Sequence, residues 1–226
     1  MSPRLGGEWR PLRGLVHVHT WHSFDCLLSP AAYLAYARRA RLDFLAITDH
    51  NTLRGAQEVA AMSRDHRLEV VIGAEYATDR GDVIGLFLTD EVVSRRFDEV
   101  IAEIRAQGGL AVLPHPYRGR DSDPTRVEAV DLVEVFNARS SPQANASAAA
   151  DAARFGVPGV AGADVHTTWE LLRNGTLVTL HGSGDLRHRL LHAPRDLSTR
   201  ATSRTVRRYS QVVKRIRGRI GLGGHA

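Results

Sequence analysis

The chain contains one cysteine and one lysine among its 226 residues, and no long apolar run. The single thiol, Cys26, excludes an intrachain disulfide and is compatible with a reducing compartment. No stretch approaches the roughly 18 consecutive apolar residues that a bilayer-spanning helix needs. The opening segment MSPRLGGEWRPLRG has no apolar signal-peptide core, so a cytoplasmic protein is expected. Neither a G-x-x-x-x-G-K phosphate loop nor a dinucleotide-binding glycine fingerprint occurs. Lys214 is the one lysine, and the other 29 of the 30 basic residues are arginine. That bias reads as genome composition rather than as phosphate recognition.

What is present is an ordinary globular composition, 43% hydrophobic and 24% charged, in a chain long enough for one barrel-sized domain. The net charge of +5 is unevenly spread. Residues 185–226 hold 11 of the basic residues and 2 of the acids, a net of +9, which leaves the rest at −4. A mildly acidic body with a basic tail is therefore expected, with a body over 1–184 and an extension over 185–226.

Short β-like runs alternate with helix-like runs. Strands are expected up to His19, at Phe44–Thr48, Val70–Gly73, Val83–Leu88, Leu110–Leu113, Leu132–Phe136, Val157–Ala161 and Leu177–Leu180. Helices are expected over Pro30–Arg41, with Ser29 as N-cap, then over Thr52–Asp65, Val92–Gln107 and Gln143–Phe155. Alternation of this kind argues for a parallel sheet, and seven or eight strands argue for closure into an α/β barrel. A doubly wound open sheet is the alternative.

Side chains able to bind metal recur where the strands end. His17 and His19 close GLVHVHT, Asp49 and His50 close LDFLAITDH, and Glu75 follows VVIGA. His115 follows LAVLP, Asp164 and His166 close VPGVAGADVH, and Asp25 lies in the loop after the first strand. Strand ends on one barrel rim converge in space, and converging imidazoles and carboxylates suit divalent cations. Residues i and i+2 of a strand share a face, so His17-x-His19 and Asp164-x-His166 each offer two donors together. Asp49 reads as an orienter of its neighbours rather than as a ligand. His22 lies close in sequence but receives no role. His66, His181, His188, His192 and His225 read as surface or packing residues.

The segments HVHTWHSFDCLLSP, AITDHNTLRGA, GAEYAT, GDVIGLFL, AVLPHPYRG, VEVFNAR and GADVH, in that order, resemble the PHP (polymerase and histidinol phosphatase) family over about residues 12–180. The chain is similar to its short members, and no polymerase domain is expected. The resemblance implies a distorted (β/α)7 barrel with two or three divalent ions (zinc, manganese or iron) at its C-terminal rim. It also implies that His17, His19 and Asp164 hold one ion and that Glu75 bridges two. Asp25, His50, His115 and His166 complete the set. Some relatives have histidine where this chain has Asp25, Asp82 and the segment 134–137, which shifts the site toward harder ions.

The implied activity is hydrolysis of a small phosphate monoester (a histidinol phosphate-like compound, a nucleotide or a sugar phosphate) by metal-activated water. Asp25, His50 and His166 are the candidates for protonating the leaving group, and Arg118 and Arg139 for holding the substrate phosphate. A nucleotidase or oligonucleotide exonuclease on the same site is the second enzymatic reading, and a metal-binding regulatory module the non-enzymatic one. From Arg204 on, Val206, Tyr209, Val213, Ile216 and Ile220 recur at helical spacing among arginines. A basic amphipathic helix is expected there, docked on the barrel or contacting a membrane surface, a partner or nucleic acid.

Overall fold

In a computed structural model, residues 4–5, 8–65, 67–119, 123–203, 205, 206, 209 and 212 are described. A short hairpin, β1 (Arg4–Leu5) and β2 (Glu8–Trp9), precedes the main sheet. The sheet is built from β3 (Leu12–Val18), β4 (Phe44–His50), β5 (Glu69–Thr78), β6 (Gly81–Leu86), β7 (Leu110–Leu113), β8 (Leu132–Asn137) and β9 (Gly159–Val165). These strands pair in chain order, and β9 returns to pair with β3, so seven strands close a barrel. Two more strands, β10 (Leu177–Leu180) and β11 (Arg195–Ser198), extend the sheet outward from β3. The expected (β/α)7 barrel is present, and the open-sheet alternative is not.

The sheet is not wholly parallel. β6 runs antiparallel to both β5 and β7, because only Asp79 and Arg80 separate β5 from β6. A connection that short makes a hairpin, whereas a parallel crossover needs a dozen or more residues. The start of β6 therefore lies on the same rim as the ends of the other six barrel strands. That places Asp82 beside the end of β5.

Alternation along the strands divides the core. Phe44 and Ala46 face a cluster inside the barrel with Val71, Ile84, Leu110 and Val160. Leu45 and Ile47 face outward onto α1 (Pro30–Ala40) and α2 (Arg54–Met62), where Tyr33, Ala37 and Val59 receive them. Farther round, α3 (Phe97–Ala106), the short α4 (Thr125–Ala129) and α5 (Pro142–Phe155) cover β5 to β8. Ser29 caps α1 by accepting the Ala32 N–H, with Pro30 in the first turn. Ser141 and Pro142 repeat that device at the start of α5.

Two helices are shorter than their apolar spacing predicts. α3 starts at Phe97 instead of Val92, because the Glu103 carboxylate accepts the N–H groups of Val93 and Ser94 and Asp79 accepts that of Phe97. Those bonds hold 92–96 as a loop. α2 covers Arg54–Met62 rather than Thr52–Asp65.

After β9 come α6 (Thr168–Arg173), β10, α7 (Leu186–His192) and β11. Leu186 and Leu190 join the cluster inside the barrel, so the extension expected from residue 185 begins with a helix and a strand packed on the body. The basic helix expected from Arg204 on lies mostly outside the described residues; Thr205, Val206, Tyr209 and Val212 are helical. No helix among the described residues is long and apolar enough to cross a membrane.

Candidate metal centre

The rim where β3, β4, β5, β7 and β9 end gathers the residues that the sequence singled out. Regular pleating would aim His17 outward with Leu15, because Val16 faces the barrel interior. A register shift between Leu15 and Val18 places a bulge there, and His17 adopts a left-handed φ of 61°. The bulge turns His17 into the barrel mouth together with His19. His115 and Asp164 also have positive φ, 30° and 49°. A non-glycine residue in that region costs on the order of 1–3 kcal/mol, and three at one rim mark a backbone shaped around its side chains.

Glu75 is the hub. Its Oε1 lies 2.9 Å from His115 Nε2. Its Oε2 lies 3.3 Å from His17 Nε2, 3.4 Å from His19 Nε2 and 3.3 Å from His50 Nδ1. Burial pushes the Glu75 carboxyl up, but the imidazoles of His17 and His50 hold it well below the usual range. Asp25 sits between His50 and His166, with Oδ2 3.4 and 3.3 Å from their Nε2 atoms. Burial raises Asp25 as well, and His166 and His50 outweigh it, so this carboxyl too is held well below its ordinary value. Asp164 Oδ1 is 3.3 Å from His166 Nδ1 and 3.9 Å from His19 Nε2.

The imidazoles differ in charge. Burial lowers His50, yet Glu75 and Asp25 carry it up to about 9. Burial lowers His17 too, and Glu134, Glu75 and Asp164 lift it well above its ordinary value. His19 goes the other way, held well down by burial and by His166 and His50. Its ring lies 4.5 Å from that of His50 and 4.3 Å from that of His166, centroid to centroid.

A second layer fixes the tautomers. The Ser23 hydroxyl donates to Asp49 Oδ1 at 2.7 Å, so it meets His19 Nδ1, 3.3 Å away, as an acceptor. His19 then carries its proton on Nδ1 and presents a bare Nε2. That atom is buried without a hydrogen-bond partner among the described residues. Asp49 also accepts Thr20 N at 2.6 Å and Thr20 Oγ1 at 2.7 Å, and so is the orienter its position suggested. Gly55 permits this, since a Cβ there would lie 1.9 Å from Asp49 Oδ2.

Glu134 does the same for His17. Its Oε1 is 2.6 Å from His17 Nδ1, and its Oε2 accepts His115 N and Asn137 Nδ2, both at 2.9 Å. Sequence reasoning missed this role. The available signal was a glutamate inside the apolar run of β8.

These donors fit divalent cations. One ligand atom from each of His17, His19 and Glu75 lies within 4.8 Å of the others. The same holds for His17, His115 and Asp164, and for His19, His50 and His166. A fourth group, Glu75, Asp82 and His115, brings in Asp82, which was not among the expected ligands. The bare Nε2 of His19, beside carboxylates and with its tautomer set from behind, is what a cation would complete.

The two expected phosphate-binding arginines diverge. Arg118 pairs with Asp164 and lines a polar cavity of 310 Å³ with Asp82, His115 and Arg126. Arg139 lies 3.4 Å from Glu170, whose other oxygen accepts His166 N at 2.9 Å. Arg139 thus braces the backbone of His166.

Residues 16–133 match the PHP domain family. Over 137 residues, 54% of this chain, it is 38% identical to an uncharacterized protein of Methanocaldococcus jannaschii, of which 80% is covered. Among solved structures it resembles a two-domain protein of Bacteroides vulgatus containing a predicted PHP-like metal-dependent phosphoesterase. The TM-score is 0.68 at 17% identity, over 88% of this chain and 68% of that one. It also resembles PsfC of Pseudomonas syringae, with a TM-score of 0.63 at 18% identity over 93% and 99% of the two chains. At those identities the structural likeness is one of fold.

Proposed function

The chain belongs to the PHP domain family, and on that premise we propose that it hydrolyses a small phosphate monoester with metal-activated water. The observation that carries this reading is Glu75, whose two oxygens lie within 2.9–3.4 Å of nitrogens from four imidazoles. Two or three divalent ions (zinc, manganese or iron) held there would lower the pKa of water and neutralise phosphoryl oxygens. The eight residues His17, His19, Asp25, His50, Glu75, His115, Asp164 and His166 would hold them.

The chain's own groups supply the rest. Glu134 and the Ser23–Asp49 pair present Nε2 of His17 and His19 to the centre. Arg118, at the edge of the polar cavity, offers a guanidinium to a phosphoryl oxygen. Asp25 joins His50 to His166, with its Oδ2 3.4 and 3.3 Å from their Nε2 atoms. The set is thereby placed to protonate a leaving alkoxide.

The test is metal content of the purified protein, paired with phosphate release from histidinol phosphate, nucleotides and sugar phosphates in added Mn²⁺ and in EDTA. Two or more ions per chain with chelator-sensitive release is the expected result. No bound metal and no turnover would favour a binding module. An oligonucleotide substrate is disfavoured by the net −4 of residues 1–184, since phosphate neutralisation dominates such binding. Activity on oligonucleotides that collapses with salt, while monophosphate turnover does not, would reverse that order. We place the enzyme in the cytoplasm. The basic residues 204–219 are proposed to favour an anionic partner or membrane surface.

A further inference from the structure

Two cavities of opposite character are lined by a candidate metal ligand or by chain neighbours of such ligands. On the β7 side lies the 310 Å³ polar cavity bounded by Asp82, His115, Arg118 and Arg126. On the side of β3 and β9 lies an apolar groove of 530 Å³, walled by Leu27, Thr167, Trp169, Leu172, Val206 and Tyr209. That volume is in the range of small-molecule sites. Leu27, Trp169, Leu172 and Tyr209 are each about half exposed, an apolar surface that a globular protein seldom leaves without use.

The groove is built onto the metal ligands. Thr167 is the next residue after His166 and caps α6 by accepting Glu170 N. The backbone N–H of Leu27 donates to the carbonyl of His166 at 3.3 Å, and Leu27 lies two residues after Asp25. In the same loop Phe24 stacks on His50, with 5.0 Å between ring centroids. Leu27 and Thr167 of the groove wall are thus tied through chain and hydrogen bond to the ligand candidates Asp25 and His166. Arg173 lies 3.9 Å over the Trp169 ring and fixes that wall.

We propose that this groove is the leaving-group subsite, and that the substrates are phosphomonoesters of apolar, preferably aromatic, alcohols. The subsite rests on the phosphoesterase reading of the metal centre. The phosphoryl group would lie at the centre toward Arg118, and the alcohol portion would lie along Leu27, Trp169 and Leu172. Water adds to phosphorus, the P–O ester bond breaks, and the alkoxide takes a proton and leaves as the alcohol in the groove. Among the described residues that line the groove none is charged, and a sugar's hydroxyls would find mostly apolar surface there.

The experiment compares 2-naphthylmethyl phosphate with ethyl phosphate, whose alkoxides are of similar basicity, so that a difference reports binding. The holoenzyme should show a KM roughly tenfold lower for the naphthyl ester. Trp169→Ala and the exposed Leu172→Asn should erase that advantage, leaving KM for ethyl phosphate and bound metal unchanged. Equal KM values for the two esters, or variants that shift both alike, overturn the subsite. Calorimetric binding of naphthalenemethanol, which carries no phosphate, separates the two readings. If no ester turns over, the phosphoesterase reading fails on its own. The groove then fails too if the alcohol does not bind, or binds Trp169→Ala as well as the wild type.

Discussion

Replacing Glu134 by glutamine removes one charge and no volume, and the hydrogen bonds around it fix the consequence for His17. On one side, Glu134 Oε2 accepts two donors whose polarity is fixed: the His115 backbone N–H, and the Asn137 amide, whose own Oδ1 is engaged by Arg139 N. The single oxygen of a glutamine must face those donors, because turning it round would set N–H groups against N–H groups. Its NH2 group then faces His17 Nδ1, across the 2.6 Å contact that now holds the Nδ1 proton. A neutral His17, the form that binds metal, must then carry its proton on Nε2, the atom that points at Glu75 and at the metal position. Partners of metal-binding histidines typically contribute about 10–100-fold in metal affinity, roughly 1.4–2.7 kcal/mol. Competition against a chromophoric chelator measures the affinity of Glu134→Gln, and the thermal unfolding of its metal-free form reports the fold. The expected outcome is weakened metal binding in a protein that stays folded. A Glu134→Gln variant that binds metal as tightly as the wild type would refute the tautomer argument.

The same geometry sets other expected outcomes. Gly162→Ala puts a Cβ 1.8 Å from Glu134 Oε1, so it should reproduce the metal-affinity loss of Glu134→Gln although residue 162 has no ligand atom; intact affinity would show that Glu134 has room to shift. Asp49→Ala leaves Thr20 N and the hydroxyls of Thr20 and Ser23 without their acceptor, which should cost roughly 1–3 kcal/mol for each buried group left unpaired. Urea unfolding of the metal-free chain checks this, and a loss under about 1 kcal/mol would contradict it. His50 in the metal-free chain is raised from 6.5 to about 9, so its stabilisation is full below pH 6.5 and is lost as pH rises through about 9. The metal-free melting temperature should therefore contain a component that falls over that window. Metal binding at neutral pH should also expel protons. Calorimetry in two buffers of different ionisation enthalpy reads that release, and identical heats in both would exclude it.

Much of the barrel was legible because its cues are local. Ser29 before Pro30 fixes the start of α1, and the apolar runs ending in His19, His50 and His166 mark strands whose ends carry polar side chains, whereas β5 continues three residues past Glu75. Seven of the eight candidate ligands share a group with two others, and Asp25 lies against His50 and His166. Less legible was anything set by hydrogen bonds between distant segments. The apolar spacing of 92–107 looks helical throughout, yet Glu103 and Asp79 capture the backbone donors of its first part. Arg139 follows β8 as expected, and its contact with Glu170, 31 residues later, has no local cue.

The sequence by itself determined the ligand types, their order, and their placement at strand ends, because each depends on residues next to one another in the chain. Only the tertiary structure decided how they meet. Simple alternation would have turned His17 away from the site, and a bulge at a left-handed residue brings it back. The reversed direction of β6 adds Asp82 to the rim. Glu134, 117 residues from His17, selects the tautomer that frees its Nε2. The reversal of β6 follows from its two-residue link to β5, but the other two facts depend on backbone register and on closure of β9 against β3, and no local pattern encodes the closure of a barrel.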